Sequence, residues 1–195
     1  IKQFLDELEK IVGKKDLLTK KSEIKNFTTG IRVGEGEACA VVKPNTLLEI
    51  WKIAETCLKY DKIIILQAAN TGLTGGSTPY GDDYDRDILI ISTLKINHLT
   101  LLNNGEEVLA FPGTTLYKLE ESLEKIGREP HSVIGSSCIG ASVVGGVCNN
   151  SGGNLINRGP AFTELSLYGK INQQGELELI NDLDIELGNS AEEIL

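Results

Sequence analysis

An uncharged loop of glycines and short polar side chains occupies residues 67–77, where the sequence reads Gln-Ala-Ala-Asn-Thr-Gly-Leu-Thr-Gly-Gly-Ser. Glycine has no Cβ, so the main chain of such a loop can approach a ligand closely. Its successive N–H groups can form a concave anion site, and its Asn, Thr and Ser side chains would add donors. The composition predicts a diphosphate site. The alternative is a surface loop whose glycines only serve turns.

Two familiar phosphate-binding motifs do not fit this loop. A P-loop carries Gly-Lys-Ser/Thr after its glycines, and residues 67–77 contain no lysine. A dinucleotide-binding turn carries Gly-x-Gly-x-x-Gly, whereas this loop has Gly72-x-x-Gly75-Gly76. Both assignments are therefore disfavoured.

A second uncharged segment, residues 135–153, combines glycines with small and apolar side chains. Such a run is not expected at the surface, yet each glycine weakens an ordinary core element by about 0.5–1 kcal/mol relative to alanine. We therefore expect something flat to lie against this main chain, with Ser142, Asn149 and Ser151 bonded to its polar edge. The alternative is a tightly packed buried helix of small residues.

Other candidate groups predict structure rather than chemistry. The acidic residues 82–87 lack the spacing of a calcium loop and are interrupted by Arg86, which favours a hydrogen-bonded turn. His131, just before the second segment, could serve as an acid or base, but a structural histidine is favoured. Cys138 and Cys148 could contact a ligand, but inert packing is favoured.

The overall composition excludes several classes of protein. The net charge of -9 argues against a nucleic-acid binder, since phosphate backbones are bound by clustered Lys and Arg. The four cysteines show no Cys-x-x-Cys spacing and only two histidines are present, so we expect buried, reduced cysteines and no metal site. No stretch approaches the roughly 20 apolar residues of a membrane-spanning helix, so the chain is expected to be soluble.

The elements ahead of the first loop predict a small parallel lobe. Apolar residues at helical spacing predict a helix over residues 4–12, ended by Gly13. A strand at 38–42 precedes a second helix that begins at Asn45 or Thr46. The residues expected to face inward on that helix are Leu47, Ile50, Trp51, Ala54 and Leu58. Successive apolar residues in 62–67 predict a strand buried on both faces, which completes a β-α-β unit.

The rest of the chain predicts antiparallel pairs and helices. Residues 88–92 form a further apolar strand. Two hairpins are expected, the first joining 98–102 to 107–111 across Asn-Asn-Gly and the second joining 165–172 to 176–180. A helix is expected over 114–126, ended by Gly127, and another begins at 190. A parallel lobe followed by an antiparallel sheet with helices makes the class α+β rather than doubly wound.

The two glycine-rich segments, with residues 112–116 and 128–132, resemble the FAD-binding domain of the vanillyl-alcohol-oxidase/PCMH flavoprotein superfamily. Residues 83–87 and 135–153 resemble in particular its group of bacterial quinone-dependent D-lactate dehydrogenases. The resemblance implies a PCMH-type fold of two lobes, about 23–92 and 93–195, with FAD in the cleft between them. Residues 1–22 would be an N-terminal helix and lead-in.

The resemblance also implies which residues contact the cofactor. On the first loop these are Ala68, Ala69, Asn70, Thr71, Gly72, Gly76 and Ser77. On the second segment they are Gly135, Ser142 and Gly152. Members that attach the flavin covalently usually carry His just before the Ser of this loop; Gly76 stands there, so non-covalent FAD is expected. The substrate domain and the catalytic base are expected beyond Leu195, and no catalytic residue is assigned.

The function implied is oxidation of D-lactate to pyruvate, with hydride transfer from C2 to the flavin and quinone as the electron acceptor. Such proteins are peripheral on the cytoplasmic face of the inner membrane, and contact with the membrane surface is expected through parts outside this chain. Three alternatives stay open. The substrate could be another 2-hydroxy acid, the enzyme could be an enolpyruvyl-sugar reductase, or the chain could be a nucleotide-binding module without redox activity.

Overall fold

The computed structural model describes residues 1–82, 84–131, 135–151, 157 and 165–195. A four-stranded sheet with its helices comes first along the chain, and two hairpins and shorter helices follow it. The helices are α1 (Lys2–Val12), α2 (Lys21–Thr28), α3 (Leu47–Lys59), α4 (Leu116–Glu124), α5 (Val143–Cys148) and α6 (Ala191–Ile194). The strands are β1 (Leu17–Leu18), β2 (Ala40–Val42), β3 (Ile63–Gln67), β4 (Ile88–Ser92), β5 (Leu99–Leu102), β6 (Glu107–Ala110), β7 (Leu167–Ile171) and β8 (Leu177–Asn181).

The four-stranded sheet has the order β1-β2-β4-β3. Both β2 and β3 pair with β4 in parallel, and β1 pairs with β2 antiparallel. The helix α3 joins β2 to β3, as parallel neighbours require a crossover connection. The predicted β-α-β unit is therefore confirmed, and β4 lies between its two strands.

The prediction that β3 is buried on both faces is wrong. This strand is the edge of the sheet, and the Leu66 side chain is 56% exposed. By contrast, β4 is buried along its whole length, as is the shorter β2, because each has a neighbouring strand on both sides and helices over the faces of the sheet. Both strands read as apolar runs, so hydropathy alone could not distinguish the centre of the sheet from its edge.

One face of this sheet packs against α1 and α3. The core there contains Phe4, Leu8 and Val12 of α1 together with Leu89 and Ile91 of β4. The helix predicted over residues 4–12 and its end at Gly13 are confirmed. Since α1 supplies three core side chains, the segment 1–22 contributes directly to the packing of the first lobe.

The inward face of α3 differs from the prediction. Ile53 and Cys57 are fully buried, whereas the five residues expected to face inward (Leu47, Ile50, Trp51, Ala54 and Leu58) are only half-buried. Burial is spread around the helix because α3 faces the sheet on one side and lies close to β7 on another. Ile53 and Cys57 face the sheet, and a Cβ built on Gly169 of β7 would lie 3.8 Å from Cζ3 of Trp51.

The other face of the sheet is covered by α2, which the sequence analysis missed. Ile24 of α2 packs with Val41, Ile88 and Ile90. Only Ile24 and Thr28 of its eight residues are buried. So short and polar a helix leaves little periodic signal in the sequence.

The antiparallel parts are close to the predictions. The β5–β6 hairpin turns at Asn103, Asn104 and Gly105, all three with positive φ, and β7 pairs with β8. The N-terminal cap of α4 is Thr115, and Gly127, with a φ of 70°, follows its last turn. Within the described residues, the two hairpins form separate two-stranded sheets rather than one continuous sheet.

Candidate functional site

The first glycine-rich loop begins where β3 ends, at Gln67. Asn70 and Gly75 turn the chain with φ angles of 56° and 76°, and these two residue types tolerate a positive φ best. The N–H of Thr78 donates to the carbonyl oxygen of Gly75 at 3.2 Å. The loop therefore ends at the buried Thr78, close to Gln67, the last residue of β3.

The main-chain N–H groups of this loop are available to a ligand. From Ala68 to Ser77, none of them donates to an acceptor in the part of the chain that the structure describes. Main-chain donors removed from water are almost always paired, and residues 68–72 are half-buried. Successive free N–H groups on a turning chain are the usual construction of an anion site. The loop therefore offers what the predicted diphosphate position requires.

The side chains of Asn70 and Ser77 are engaged within the protein, which differs from their expected use as ligand donors. Asn70 Nδ2 donates to the carbonyl oxygen of Thr29 at 3.0 Å. Its Oδ1 accepts from Ser77 Oγ at 2.9 Å and from Thr78 Oγ1 at 2.5 Å. What Asn70 can offer an anion is therefore its main-chain N–H, while its carboxamide shapes the loop.

The segment between α2 and β2 lies against this loop. A Cβ built on Gly75 would lie 3.4 Å from Cγ1 of Val33, and one on Gly34 would lie 2.9 Å from Cβ of Thr78. The sequence analysis gave this segment no role. Its glycines could have indicated close packing, but nothing in the sequence indicates against which loop they pack.

The second glycine-rich segment contains the short helix α5. Ser142 caps it: Ser142 Oγ accepts from the N–H of Gly145 at 3.0 Å, and the residue is only 5% exposed. The cap excludes a side chain at Gly145, because a Cβ there would lie 2.7 Å from Ser142 Oγ. The Ser142 hydroxyl still has its own hydrogen to donate, as the predicted cofactor contact would require.

The two glycine-rich segments meet in space. A Cβ built on Gly140 would lie 3.6 Å from Cβ of Ala69, an ordinary van der Waals contact. Gly140 has a φ of 91°, which turns the chain from a 3-10 turn at Gly135–Ile139 towards α5. One ligand that contacts both segments, as the family resemblance implies, requires them to be adjacent.

A chain of hydrogen bonds fixes the position of the second segment relative to the first. The N–H of Thr93 donates to the carbonyl oxygen of Gln67 at 2.9 Å, and Thr93 Oγ1 donates to that of Pro112 at 3.3 Å. The N–H of Val143 in turn donates to the carbonyl oxygen of Thr114 at 2.9 Å. Residues 112–114 therefore connect the end of β3 to the start of α5.

The described structure does not require glycine at three positions of this site. Gly72, Gly76 and Gly146 do not have a positive φ. Among the described residues, a Cβ on Gly146 would meet nothing within 4 Å, and Cβ atoms on Gly72 and Gly76 would meet only a side-chain oxygen, at 3.6 Å and 3.8 Å. Neither backbone angle nor crowding explains them. Open space beside both segments is what a dinucleotide with a flat ring needs, so the residues present fit FAD.

The predicted contact residues are distributed over described and undescribed parts of the chain. Those on the first loop, Ala68 to Gly72 with Gly76 and Ser77, all lie in the described part, as does Ser142. Gly135 begins the 3-10 turn before Gly140. Gly152 lies outside the described residues, and so does Asp83 of the acidic stretch.

The acidic stretch, for which a hydrogen-bonded turn is predicted, forms ion pairs through its described side chains. Arg86 contacts Asp61 and Asp85 at 3.0 Å, and Lys62 contacts Asp87 at 2.6 Å. No cluster of His, Cys, Asp and Glu suited to a metal ion occurs among the described residues. These ion pairs join the chain just before β3 to the chain just before β4.

The four thiols fall into two groups that differ in their exposure to solvent. Burial raises the pKa of Cys57 to about 12 and that of Cys39 to about 11, which leaves both in the unreactive protonated form. Cys138 and Cys148 are exposed, so the prediction that all four cysteines are buried is wrong for these two. His131 is also exposed.

No helix in the described part of the chain is long and apolar enough to cross a membrane.

The sequence matches the family described as "FAD binding domain" over residues 38–168. It is 59% identical over its whole length to a quinone-dependent D-lactate dehydrogenase of Escherichia coli, and 55% identical to that of Haemophilus influenzae. The chain spans about a third of the length of these relatives, 34% and 35%.

Solved structures of similar shape come from more distant proteins. Alkyldihydroxyacetonephosphate synthase has a TM-score of 0.74 at 17% identity, over 93% of this chain and 35% of that one. p-Cresol methylhydroxylase with bound substrate has a TM-score of 0.69 at 16% identity, over 91% and 35%. Likeness at this level of identity shows the fold alone, and it confirms the predicted α+β class.

Proposed function

The chain belongs to the FAD-binding domain family and has the PCMH-type fold, and from this premise we propose that it is the cofactor-binding part of a quinone-dependent D-lactate dehydrogenase. The proposed reaction is oxidation of D-lactate to pyruvate with quinone as the electron acceptor. The name of the E. coli relative, 59% identical over the whole chain, supports this substrate and this acceptor.

The observation that carries the proposed placement of FAD is the free row of N–H groups from Ala68 to Ser77 beside the open glycines. The diphosphate would lie on these donors. The flavin end would lie towards α5, where Gly146 leaves room for a ring and Ser142 retains a hydroxyl hydrogen. The closeness of Gly140 to Ala69 places the two segments side by side, as one bound cofactor would require.

We propose that FAD is bound without a covalent bond. Gly76 has no side chain through which a bond to the flavin could form. The two histidines of the chain are remote in sequence from this loop, and His98 packs edge-on against Phe111 on the β5–β6 hairpin. Denaturation in acid is expected to release all the flavin into solution.

Bound FAD supplies the acceptor for the hydride that leaves C2 of the substrate. The residues of this chain would hold and orient the cofactor: the loop N–H groups would donate hydrogen bonds to the diphosphate, and the Ser142 hydroxyl would donate to a polar edge of the flavin. We propose that the base that takes the proton from the substrate hydroxyl lies outside this chain. We also propose that the protein is peripheral on the cytoplasmic face of the membrane, through parts outside this chain.

The experiment is anaerobic reduction of the FAD-loaded protein. D-lactate should bleach the visible absorption band of the flavin, L-lactate should not, and a quinone analogue should restore the band. A protein that takes up no FAD on reconstitution overturns the proposal. Bleaching by a different 2-hydroxy acid, with no response to D-lactate, replaces the substrate but keeps the class of enzyme. ADP binding as tight as FAD binding would instead support a nucleotide-binding module.

A further inference from the structure

Gln67 is a polar side chain buried at the point where β3 meets the diphosphate loop. The residue is 2% exposed. Its Nε2 donates to the carbonyl oxygen of Phe27 at 2.9 Å and to that of Ser77 at 2.7 Å. One carboxamide therefore joins the end of α2, the start of the loop and the end of the loop.

Asn70 makes the same connection from within the loop. Its carboxamide bonds to Thr29 on one side and to Ser77 and Thr78 on the other. Two side-chain amides thus join the segment at 27–29 to residues 77–78. Neither uses a main-chain N–H of the loop, and the N–H groups from Ala68 to Ser77 stay free of acceptors in the described part of the chain.

We propose that Gln67 is a positioning residue for diphosphate binding: its two hydrogen bonds hold the loop in the shape that presents its N–H groups together. The inference rests on the proposed function and deepens it, since it assigns a role to a residue with no place among the predicted contacts. Gln67 does not touch the cofactor itself. A preshaped loop binds more tightly because less conformational freedom is lost on binding.

The test is Gln67→Met, which keeps the length of the side chain and removes both donors. FAD affinity is measured by the quenching of flavin fluorescence, and ADP affinity by competition. We expect both dissociation constants to rise by the same factor, about tenfold or more, because two donors that shape the diphosphate site are lost.

Thr56→Val is the matched control for a general loss of stability. Thr56 is buried in α3, and its Oγ1 donates to the carbonyl oxygen of Lys52 at 2.8 Å, away from the loop. This variant should lower the melting temperature while FAD and ADP affinities stay as in the wild type. A merely structural role for Gln67 predicts that the two variants behave alike.

Gln67→Glu gives a second measurement that holds even if Gln67→Met does not fold. An ionised carboxylate has no donor, whereas the protonated acid has one O–H. Its FAD affinity relative to the wild type should therefore rise as the pH is lowered from about 8 to about 6, since burial raises the pKa of a carboxyl group.

The outcomes separate the two proposals. If the wild type binds no FAD, the proposed function fails. If the wild type binds FAD and Gln67→Met binds FAD and ADP as tightly, the positioning role is overturned and the function stands. A pH-independent affinity ratio for Gln67→Glu overturns the positioning role in the same way.

Discussion

Gly140 lies against Ala69, so that a Cβ added to the glycine would stand 3.6 Å from the alanine Cβ. These residues belong to the two glycine-rich segments, which are far apart in sequence. Their contact is ordinary packing, which means that it adds no strain of its own. An L residue at this position would be strained by the backbone instead, because Gly140 has a φ of 91°.

Gly140→Ala should weaken FAD binding as well as the fold. An L residue at positive φ costs roughly 1–2 kcal/mol, and relaxing that strain would shift the second segment away from Ala69. Gly127→Ala is the control, because Gly127 has a φ of 70° and no atom within 4 Å of an added Cβ. Thermal unfolding of both apoproteins should show similar losses, and FAD titration should show a loss for Gly140→Ala alone. Equal FAD affinities would contradict a role for this contact.

Gly146→Ala should have opposite effects on stability and on binding. An added Cβ meets nothing within 4 Å, so the apoprotein should gain about 0.5–1 kcal/mol from the better helix propensity of alanine. The same Cβ would occupy space that we assign to the flavin, so FAD affinity should fall. Urea unfolding of the apoprotein and FAD titration measure the two effects.

Gly145→Ala is the contrasting neighbour. Its Cβ would lie 2.7 Å from Ser142 Oγ and disturb the cap of α5, so this variant should lose stability. A Gly146→Ala variant that gains stability and keeps full FAD affinity would show that the ring lies elsewhere.

The thiols should react in two groups at neutral pH. Cys138 and Cys148 are exposed, whereas burial raises the pKa of Cys39 to about 11 and that of Cys57 to about 12. A coloured disulfide reagent should therefore titrate two thiols quickly in the native protein and all four after unfolding. Cys148→Ser should remove one fast thiol and Cys57→Ser none. Rapid loss of Cys57 would contradict the packing of α3.

Asp16 should make the stability depend on pH in the acid range. Its bond with Lys95 Nζ, at 2.6 Å, lowers the pKa of the carboxyl group below its usual value. A depressed folded-state pKa contributes stability that is complete above the unfolded value of about 3.9 and is lost as the pH falls through the folded value. Asp16→Asn should therefore be less stable than the wild type by roughly 1 kcal/mol at neutral pH.

Denaturant unfolding at several pH values measures this difference, which should shrink towards the acid limit. Asp6→Asn, an exposed change on α1, serves as the control for the loss of one surface carboxylate. A constant gap between the wild type and Asp16→Asn at all pH values would contradict the ion pair.

Local sequence signals predicted the elements that they determine directly. The spacing of Phe4, Leu8 and Val12 fixes α1, and the Asn-Gly pair at 104–105 fixes the β5–β6 turn, because both depend on neighbouring residues only. The edge position of β3 could not be predicted in this way. It depends on where β4, more than twenty residues later, inserts in the sheet.

At the candidate site, too, the sequence predicted local features and missed those that depend on distant parts of the chain. The glycine-rich composition of both segments identified the loop and the second segment, but it gave no indication that Ser142 caps α5. It could not show that the carboxamide of Asn70 faces Thr29 and Ser77 rather than a ligand, because those partners depend on how α2 and the loop fold against each other. Gln67 was missed for this reason. A glutamine at the end of a strand carries no signal of burial, and its role follows only from the carbonyl groups of Phe27 and Ser77.

The hydrogen bonds of Gln67 and Asn70 connect the first loop to α2. Phe27 lies on this helix and Thr29 directly follows it, and α2 also packs on the sheet through Ile24. Substitutions at the end of α2 can therefore alter cofactor affinity from a distance, with the sequence of the loop unchanged. Between related chains, the end of α2 and the loop are then expected to vary together.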